Sequence, residues 1–352
     1  MNSKNGMSIG IDLDQAWLEY AEQGKIINQF VAYFDDPAGW WKTNDILETG
    51  VVIKEGKPVY YAKNITQEII FETNKPIKSL NQNLEAVFMP HRRLRATAAN
   101  PKSPGPQAAP SDDPLKCGFY CQDPGHQHSL LPRTPLALLP VLNRRYWAIF
   151  YNFSPFEKNG HFMLLPVRLQ GVHIDLTHYL QHMELGFLQD AISLIRKCQN
   201  LLIFFNAIGA GASQNHFHYQ AIAHQLGSLA IEHSDSDHPI RFIDFDINTP
   251  GLAEIVFKHI QFINQTFSGK TSYNLIFTSQ KLYLIPREKD HEVLRVNNDF
   301  ITCFGAVEVA GRLICTEENQ FNNVTSEQYI AALKTLSISK EKIDFIKAES
   351  IK

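Results

Sequence analysis

The chain has 352 residues, with 33 Lys and Arg against 36 Asp and Glu, a formal net charge of −3 and 44% hydrophobic residues. This is the composition of a globular protein long enough for two domains, and it excludes disordered, collagen-like and disulfide-framework chains. The near-neutral charge argues against binding nucleic acid or an anionic membrane through a basic field. The 14 histidines are the unusual feature, and they direct the search for chemistry because imidazole titrates near neutral pH.

The cysteines and the first residues of the sequence predict a cytoplasmic protein. Cys117, Cys121, Cys198, Cys303 and Cys315 are odd in number and scattered, so they do not suggest a disulfide framework. The first residues include an acidic side chain by position 12 and lack the apolar stretch of a secretory signal. No run of about 18 apolar residues occurs, so we expect no membrane span and a reducing compartment.

A change in composition divides the chain. Residues 97–116 hold five prolines and a single large apolar side chain, Leu115. We interpret them as a linker or mobile loop, with an ordered proline-rich wrap over the surface as the alternative. Short β-runs with Gly-Lys-Pro and Asn-Lys-Pro turns predict that residues 1–96 are rich in β-strands. Residues 117–240 are predicted to form a catalytic half, and residues 241–352 a second α+β half.

Beyond the linker, the pattern of apolar residues favours an antiparallel α+β sheet with flanking helices, built from two related halves. It begins with a β-hairpin of residues 147–151 and 161–167 around a turn that contains Pro155 and Gly160. The elements predicted next are a helix over 183–198, strands over 201–205 and 215–222, a helix over 250–267, and strands over 273–277 and 282–286.

The stretch NAIGAGASQNHFHYQ, residues 206–220, carries the clearest sign of chemistry. In an extended strand from Asn215, alternation places His216, His218 and Gln220 on one face and the aromatic residues between them on the other. A satisfied core histidine is the purely structural interpretation of one such residue. Two imidazoles and a carboxamide on one surface instead predict a site where a histidine attacks phosphorus and forms a covalent phosphoramidate.

The loop before this strand predicts where the anion lies. It contains Gly209, Gly211 and Ser213, and residues this small let backbone N–H groups approach a phosphate closely. Two other phosphate and cofactor motifs are not matched. GAVEVAG lacks the GxGxxG spacing of nicotinamide and flavin folds, and Gly269, Lys270 and Thr271 lack the earlier glycine of a P-loop. We therefore expect neither a nicotinamide nor a flavin cofactor.

The same motif resembles the histidine triad superfamily, in the branch that has Gln in place of the third His. That branch contains galactose-1-phosphate uridylyltransferase and the diadenosine tetraphosphate phosphorylases. Asn215 stands where the relatives commonly carry Pro. The matching residues are Asn206, Gly211, Ala212, Ser213, Gln214, His216, His218 and Gln220. The segment VFMPHRRLRATAANP, the cysteine pair and GAVEVAGRLICTEENQF also resemble a bacterial family related to these transferases.

The resemblance implies a HIT-like fold and a nucleotidyltransferase or phosphorylase. Its donor would be a nucleoside diphosphate-sugar or a dinucleoside polyphosphate, and its acceptor phosphate or a sugar phosphate. His218 would become nucleotidylated, His216 would orient it or bind metal, and Gln220 would hydrogen-bond the nucleotidyl phosphate. A histidine triad hydrolase, which uses water in the second step, and a nucleotide-binding module without catalysis are the alternatives. Base, sugar and oligomeric state stay open.

The resemblance also implies a substrate-binding set and a metal site. Ser213 and Asn206 would contact phosphate oxygens, with Gly211 and Gln214 in the same loop, and Asn152 in the hairpin YNFSPFEKNGHFMLLP would contact the ribose. A structural zinc would be held by Cys117, Cys121, His173 and His216. Two unremarkable thiols near a mobile loop are the alternative, and here the cysteines are spaced Cys-x-x-x-Cys rather than Cys-x-x-Cys.

Overall fold

The structure is a computed structural model. It describes residues 47–54, 57–64, 68–72, 77–81, 83–89, 112–119, 121, 137–140, 145–152, 161–170, 173–197, 201–224, 226–233, 238–267, 269–289, 292–296, 299–302 and 304–350. The basic residues 91–95 of VFMPHRRLRATAANP and most of the proline-rich segment lie outside these ranges, and so do four of the 14 histidines, His91, His126, His128 and His291. Among the described helices, none is long and apolar enough to cross a membrane.

The N-terminal region forms two sets of strands. A three-stranded antiparallel sheet consists of β1 (Leu47–Lys54), β2 (Lys57–Asn64) and β3 (Glu68–Glu72). It is followed by the short strands β4 (Ile77–Ser79) and β5 (Glu85–Phe88), which pair antiparallel. The boundary predicted at residue 96 stays a prediction.

One nine-stranded antiparallel sheet carries the candidate site. Its order is β12-β14-β13-β10-β11-β8-β7-β6, with β9 paired to β8. The sheet crosses the boundary predicted at residue 240, which stays a prediction. The strands are β6 (Ala137–Pro140), β7 (Tyr146–Tyr151), β8 (His161–Gln170), β9 (His173–Asp175), β10 (Leu201–Asn206), β11 (Tyr219–Ala223), β12 (Ile243–Asp246), β13 (Thr271–Phe277) and β14 (Lys281–Glu288).

The remaining elements are the helices and the last three strands. The predicted hairpin is confirmed by β7 and β8, and the two predicted helices by α1 and α2. The helices are α1 (Leu185–Lys197), α2 (Leu252–Thr266), α3 (Ala306–Val309), α4 (Glu318–Asn323), α5 (Ser326–Leu336) and α6 (Lys340–Glu349). The last strands are β15 (Glu292–Val296), β16 (Asp299–Thr302) and β17 (Arg312–Cys315), and β17 runs parallel to β5.

The central strands are buried on both faces, so the sheet is the middle of three layers. On one face Ile203 and Phe205 pack with α1, α2 and α6. On the other face Leu202 and Phe204 pack with β5, β17, α3 and α5. Alternation within β10 supplies both cores, which explains why LLIFF is a continuous apolar run. The predicted α+β sheet with flanking helices is therefore confirmed.

The centre of the sheet has the element order that two related halves would give. Helix α1 is followed by the hairpin β10–β11, and α2 by the hairpin β13–β14. Strands β10 and β13 pair antiparallel between them, with Phe205 opposite Leu275. This order supports the predicted relation between halves, which stays a prediction.

The loop between β10 and β11 is held by the C-terminal layer at Gly211. The φ of Gly211 is +89°, and a Cβ there would lie 2.7 Å from Cα of Gly305. The fully buried Arg287 donates from Nη1 to the carbonyl of Phe304. The side chain of Asn206 accepts from the backbone N–H of Ala306 at 2.8 Å. Residue 211 is therefore glycine because two backbones meet there.

We predict that Gly211→Ala lowers the free energy of unfolding by about 2–5 kcal/mol, since it adds a clash to the strain of a left-handed residue. Gly269→Ala is the matched control, because the φ of Gly269 is +88° but nothing lies within 4 Å of an added Cβ. It should cost only about 1–2 kcal/mol. Denaturant unfolding measures both variants, and equal losses would contradict the contact at Gly305.

Candidate active site

The candidate site forms where β10 and β11 separate. Their ladder ends with Phe204 opposite Gln220, and β11 begins only at Tyr219. The predicted strand over 215–222 is therefore wrong for its first four residues. The reason is that the backbone N–H of Phe217 donates to the carbonyl of Tyr179 at 2.6 Å instead of pairing within the sheet.

The predicted division of the motif into two faces is confirmed on its apolar side. Phe217 and Tyr219 are fully buried in the core beneath α1, where Phe217 lies 4.0 Å from Phe187 between ring centroids. His216 and His218 are buried as well, but against residues of the segment 112–121 rather than in that core. The buried aromatic pair anchors the motif in the core, and the two imidazoles lie on the side of the segment 112–121.

His218 has a defined tautomer. Its Nδ1 lies 2.8 Å from the carbonyl oxygen of His216. A carbonyl can only accept, so Nδ1 carries the proton and the lone pair of the ring is on Nε2. The ring is 5% exposed, and the ring of Phe119 meets it edge-on at 5.3 Å between centroids. Such an imidazole is suited to nucleophilic attack from Nε2.

Gln220 is held by two buried side chains. Its Oε1 lies 2.8 Å from Nε2 of His161, and Asn152 donates to the same oxygen from Nδ2 at 3.3 Å. Nδ2 of Asn152 also lies 3.1 Å from Nε2 of His161, within hydrogen-bonding distance, so the three polar side chains contact one another. With its oxygen held this way, Gln220 can offer its NH₂ group to a phosphate. Asn152 was predicted to contact ribose, and that role stays a prediction.

The sequence prediction missed His161. It is the first residue of β8 and fully buried. The available signal was a histidine at the start of the apolar run HFMLLPV, next to the turn of the predicted hairpin. That signal alone does not distinguish a partner of Gln220 from an ordinary histidine at a strand end.

The predicted phosphate-loop residues surround the same turn. Oδ1 of Asn206 accepts from Nδ2 of Asn274 and from the N–H of Ala306, both at 2.8 Å. Oε1 of Gln214 accepts from the N–H of Gly118 at 3.0 Å. Ser213 is half-buried. These contacts fix the shape of the loop, and the phosphate contacts of Asn206, Gly211, Ser213 and Gln214 stay predictions.

A Cys/His cluster that could hold a metal ion adjoins His218. The side chains of Cys117, Cys121, His178 and His216 offer ligand atoms that all lie within 4.8 Å of one another. Sγ of Cys117 is 3.3 Å from Nδ1 of His216, and Sγ of Cys121 is 3.3 Å from Nδ1 of His178. Three members are buried and His178 is half-buried. His216 belongs to both the cluster and the His-x-His-x-Gln motif.

The fourth member of the cluster differs from the prediction. His173 lies in β9, and its side chain is outside those described. His178, five residues later, occupies the place beside Cys121 that the resemblance assigned to His173. The loop after β9 brings His178 to the cysteines, and the role predicted for His173 stays a prediction.

The electrostatics of the cluster favour neutral imidazoles. Burial, followed by the proximity of His178 and His218, lowers the pKa of His216 to about 3. Burial also lowers the pKa of His178, although the nearby Asp112 and Asp113 oppose this. The buried Nε2 atoms of His178 and His216 have no hydrogen-bond partner in the described part of the protein. Neutral imidazole is the form that binds a metal.

The end of the predicted linker is docked on the site. Residues 112–119 are described, and a 3₁₀ turn covers Pro114–Lys116. Nδ2 of Asn215 donates to Oδ1 of Asp112. With the contacts of Cys117 and Gly118, this places the segment directly over the catalytic loop.

We predict that in the free protein at neutral pH, His218 carries its proton on Nδ1. His259 is the matched control, because its Nδ1 lies 2.8 Å from the carbonyl of Ile255, far from the site. Long-range ¹⁵N–¹H correlation spectra should give both rings the same tautomer, and His161 the opposite one with its proton on Nε2. A proton on Nε2 of His218 would contradict the assignment.

Comparisons with known proteins agree with this architecture. Residues 215–339 match the family model of the ATP adenylyltransferase C-terminal domain. The structure of yeast Ap4A phosphorylase Apa2 in complex with AMP superposes with a TM-score of 0.51 at 14% identity, covering 90% of this chain and 96% of that chain. The complex with Ap4A gives 0.47 at 12% identity, covering 90% and 97%. No curated protein sequence matches significantly. The predicted HIT-like fold is thereby confirmed, and His216, His218 and Gln220 lie within the region similar to ATP adenylyltransferase.

Proposed function

We propose that this protein is a nucleotidyltransferase of the phosphorylase type, which cleaves a dinucleoside polyphosphate through a covalent nucleotidyl-His218. The observation that carries the proposal is the buried imidazole of His218, with Nδ1 on the carbonyl of His216 and its lone pair on Nε2. Its position within the region similar to the ATP adenylyltransferase C-terminal domain favours an adenylyl group. The fold shared with yeast Ap4A phosphorylase Apa2 supports the same class of donor over a nucleotide sugar.

The first step is attack by His218 on the α-phosphorus. A bond forms from Nε2 to phosphorus, the bond to the bridging oxygen breaks, and its electron pair leaves with the departing nucleoside polyphosphate. The ring becomes a cationic phosphoramidate that keeps the proton on Nδ1. The carbonyl of His216 stabilises that cation through the hydrogen bond already present. No external base is therefore needed to remove a proton from the nucleophile.

The second step returns the ring to its starting state. An oxygen of inorganic phosphate attacks the same phosphorus, the N–P bond breaks, and its electron pair returns to Nε2. Gln220 would donate from its NH₂ group to the oxygens of the transferring group in both steps, because its own oxygen is held by His161 and Asn152. Ser213 and the peptide groups of the loop 207–214 would contact the neighbouring phosphates.

We also propose that the Cys/His cluster binds a structural zinc ion through Cys117, Cys121, His178 and His216. The donor set is that of closed tetrahedral zinc sites, and ligands on such an ion place sulfur and nitrogen about 3.6 Å apart. The two measured S···N distances of 3.3 Å are close to this. Bound zinc would cross-link the segment 112–121 to the catalytic loop.

We propose further that the protein is cytoplasmic, because its scattered cysteines do not suggest a disulfide framework.

We predict that His218→Gln abolishes the covalent intermediate and lowers turnover by at least about 10³-fold. The protein is incubated with a dinucleoside polyphosphate or ATP labelled at the α-phosphate, quenched in base, and assayed for a base-stable, acid-labile adduct. His259→Gln is the control for replacing a buried histidine elsewhere. Adduct and turnover unchanged in His218→Gln would contradict the mechanism.

The same assay separates the competing functions. Turnover that requires inorganic phosphate supports the phosphorylase. Turnover without phosphate identifies a hydrolase, in which water takes the second step. Thermal stabilisation by nucleotide with no adduct and no turnover identifies a binding module.

We predict that the purified protein contains about one zinc per chain and that His178→Ala loses it. His173→Ala is the matched control and should keep the metal, because it is His178 whose Nδ1 lies 3.3 Å from Sγ of Cys121. Mass spectrometry of the metal content after dialysis measures both variants. Loss of zinc in His173→Ala with retention in His178→Ala would contradict the ligand assignment.

A further inference from the structure

We propose that Gln181 is the positioning residue that fixes the backbone of His218, an inference that rests on the proposed function of that nucleophile. Gln181 is 1% exposed and lies in the loop between β9 and α1. Its Oε1 accepts from the N–H of His218 at 2.9 Å. Its Nε2 donates to the carbonyl of Asn206 at 3.0 Å and to that of His218 at 3.3 Å. One carboxamide thus holds both peptide groups of the nucleophile.

The orientation of this amide is fixed by its partners. All three are backbone groups, and a peptide N–H can only donate while a peptide carbonyl can only accept. Reversing the amide of Gln181 would turn all three attractive contacts into repulsive ones. The backbone partners alone therefore decide which end of the amide is the oxygen and which is the nitrogen.

The amide occupies the point where the two strands separate. Continuing the register of β10 and β11 beyond Phe204 and Gln220 places Phe205 opposite Tyr219, and then Asn206 opposite His218. Gln181 bridges this pair and takes up the hydrogen bonds that the strands no longer make to each other. The strands can therefore diverge around the loop 207–214 without leaving these buried peptide groups unsatisfied.

Gln181 is itself held in place. Its backbone N–H donates to Oδ1 of Asn215 at 2.9 Å, and the same Asn215 side chain donates from Nδ2 to Asp112. The carbonyl of Tyr179 accepts from the N–H of Phe217 at 2.6 Å. The loop therefore contacts the catalytic segment on both sides of His216, and the position of His218 follows from that of Gln181.

This arrangement makes the amide important for rate rather than for affinity. An error of about 1 Å in the position of a reacting group can cost about 10²-fold in rate. Gln181 contacts the N–H and carbonyl of His218 and the carbonyl of Asn206, and none of these contacts uses the imidazole edge at Nε2. Loss of its contacts should lower kcat and the rate of adduct formation, with little change in KM.

The decisive variant is Gln181→Glu, because the side chain of glutamate has nearly the same shape as that of glutamine. One carboxylate oxygen can still accept from His218, but the other faces two carbonyl oxygens and is repelled unless it carries a proton. We expect the rate of adduct formation, relative to the unmodified protein at each pH, to fall about 10- to 100-fold at pH 8. It should recover as the pH falls toward 5.5, because burial raises the pKa of a carboxyl group and the protonated form donates.

Two further variants separate positioning from general damage. Gln181→Met removes the hydrogen bonds at similar volume, so its relative rate should fall without recovering at low pH. Gln328→Glu is the control for the charge change, because Gln328 is a half-buried residue of the capping box of α5 and a glutamate is compatible there. A relative rate of Gln181→Glu that is independent of pH, or equal to that of the unmodified protein, would overturn the inference.

Hydrogen exchange gives a readout that does not depend on catalysis. It therefore distinguishes failure of the positioning role from failure of the proposed function. The backbone N–H of His218 should exchange with solvent slowly in the unmodified protein and at least about tenfold faster in Gln181→Met. If no adduct forms with any donor, the proposed function fails and hydrogen exchange still tests the contact. Equal exchange rates at His218 in both proteins would overturn the positioning role.

Discussion

The end of the ladder between β10 and β11 is the constraint on which the candidate site depends. Up to Phe204 and Gln220 the two strands satisfy each other's peptide groups. Beyond that pair they separate, and buried peptide groups must find other partners or cost free energy. The amide of Gln181 supplies those partners. The strands can then open into a loop while His218, at the point of divergence, keeps a single position.

The buried layers on both faces of the sheet hold that opening in place. Beneath α1 and α2, the rings of Phe217 and Tyr219 anchor the motif in the larger core. From the other side, Arg287 and Asn206 connect the loop to the backbone of residues 304–306. The close approach at Gly211 leaves no room for a side chain. The loop 207–214 is therefore held from both faces of the sheet.

Residues 112–119 and Cys121 connect the Cys/His cluster to His218. Cys117 lies against His216, Phe119 lies edge-on to His218, and Asp112 contacts Asn215. Because His216 takes part in the cluster through its ring and holds His218 through its carbonyl, the two sites share one residue. In the proposed function, an ion in the cluster would order the cover of the active site without taking part in phosphoryl transfer.

The sequence by itself predicted the local elements and singled out the motif. The spacing of apolar residues predicted α1, α2, β10 and the hairpin β7–β8. Each of these elements buries one or both of its faces, so its apolar residues recur with the period of a helix or a strand. The spacing His-x-His-x-Gln identified His216, His218 and Gln220 as the residues of interest. Only the tertiary structure decided that β11 begins at Tyr219, that His178 joins the cysteines, and that Gln181 and His161 serve the site. These depend on contacts between residues far apart in the chain, where a loop returns to a strand and hydrogen-bonds its backbone. Such contacts leave no periodic pattern in the sequence.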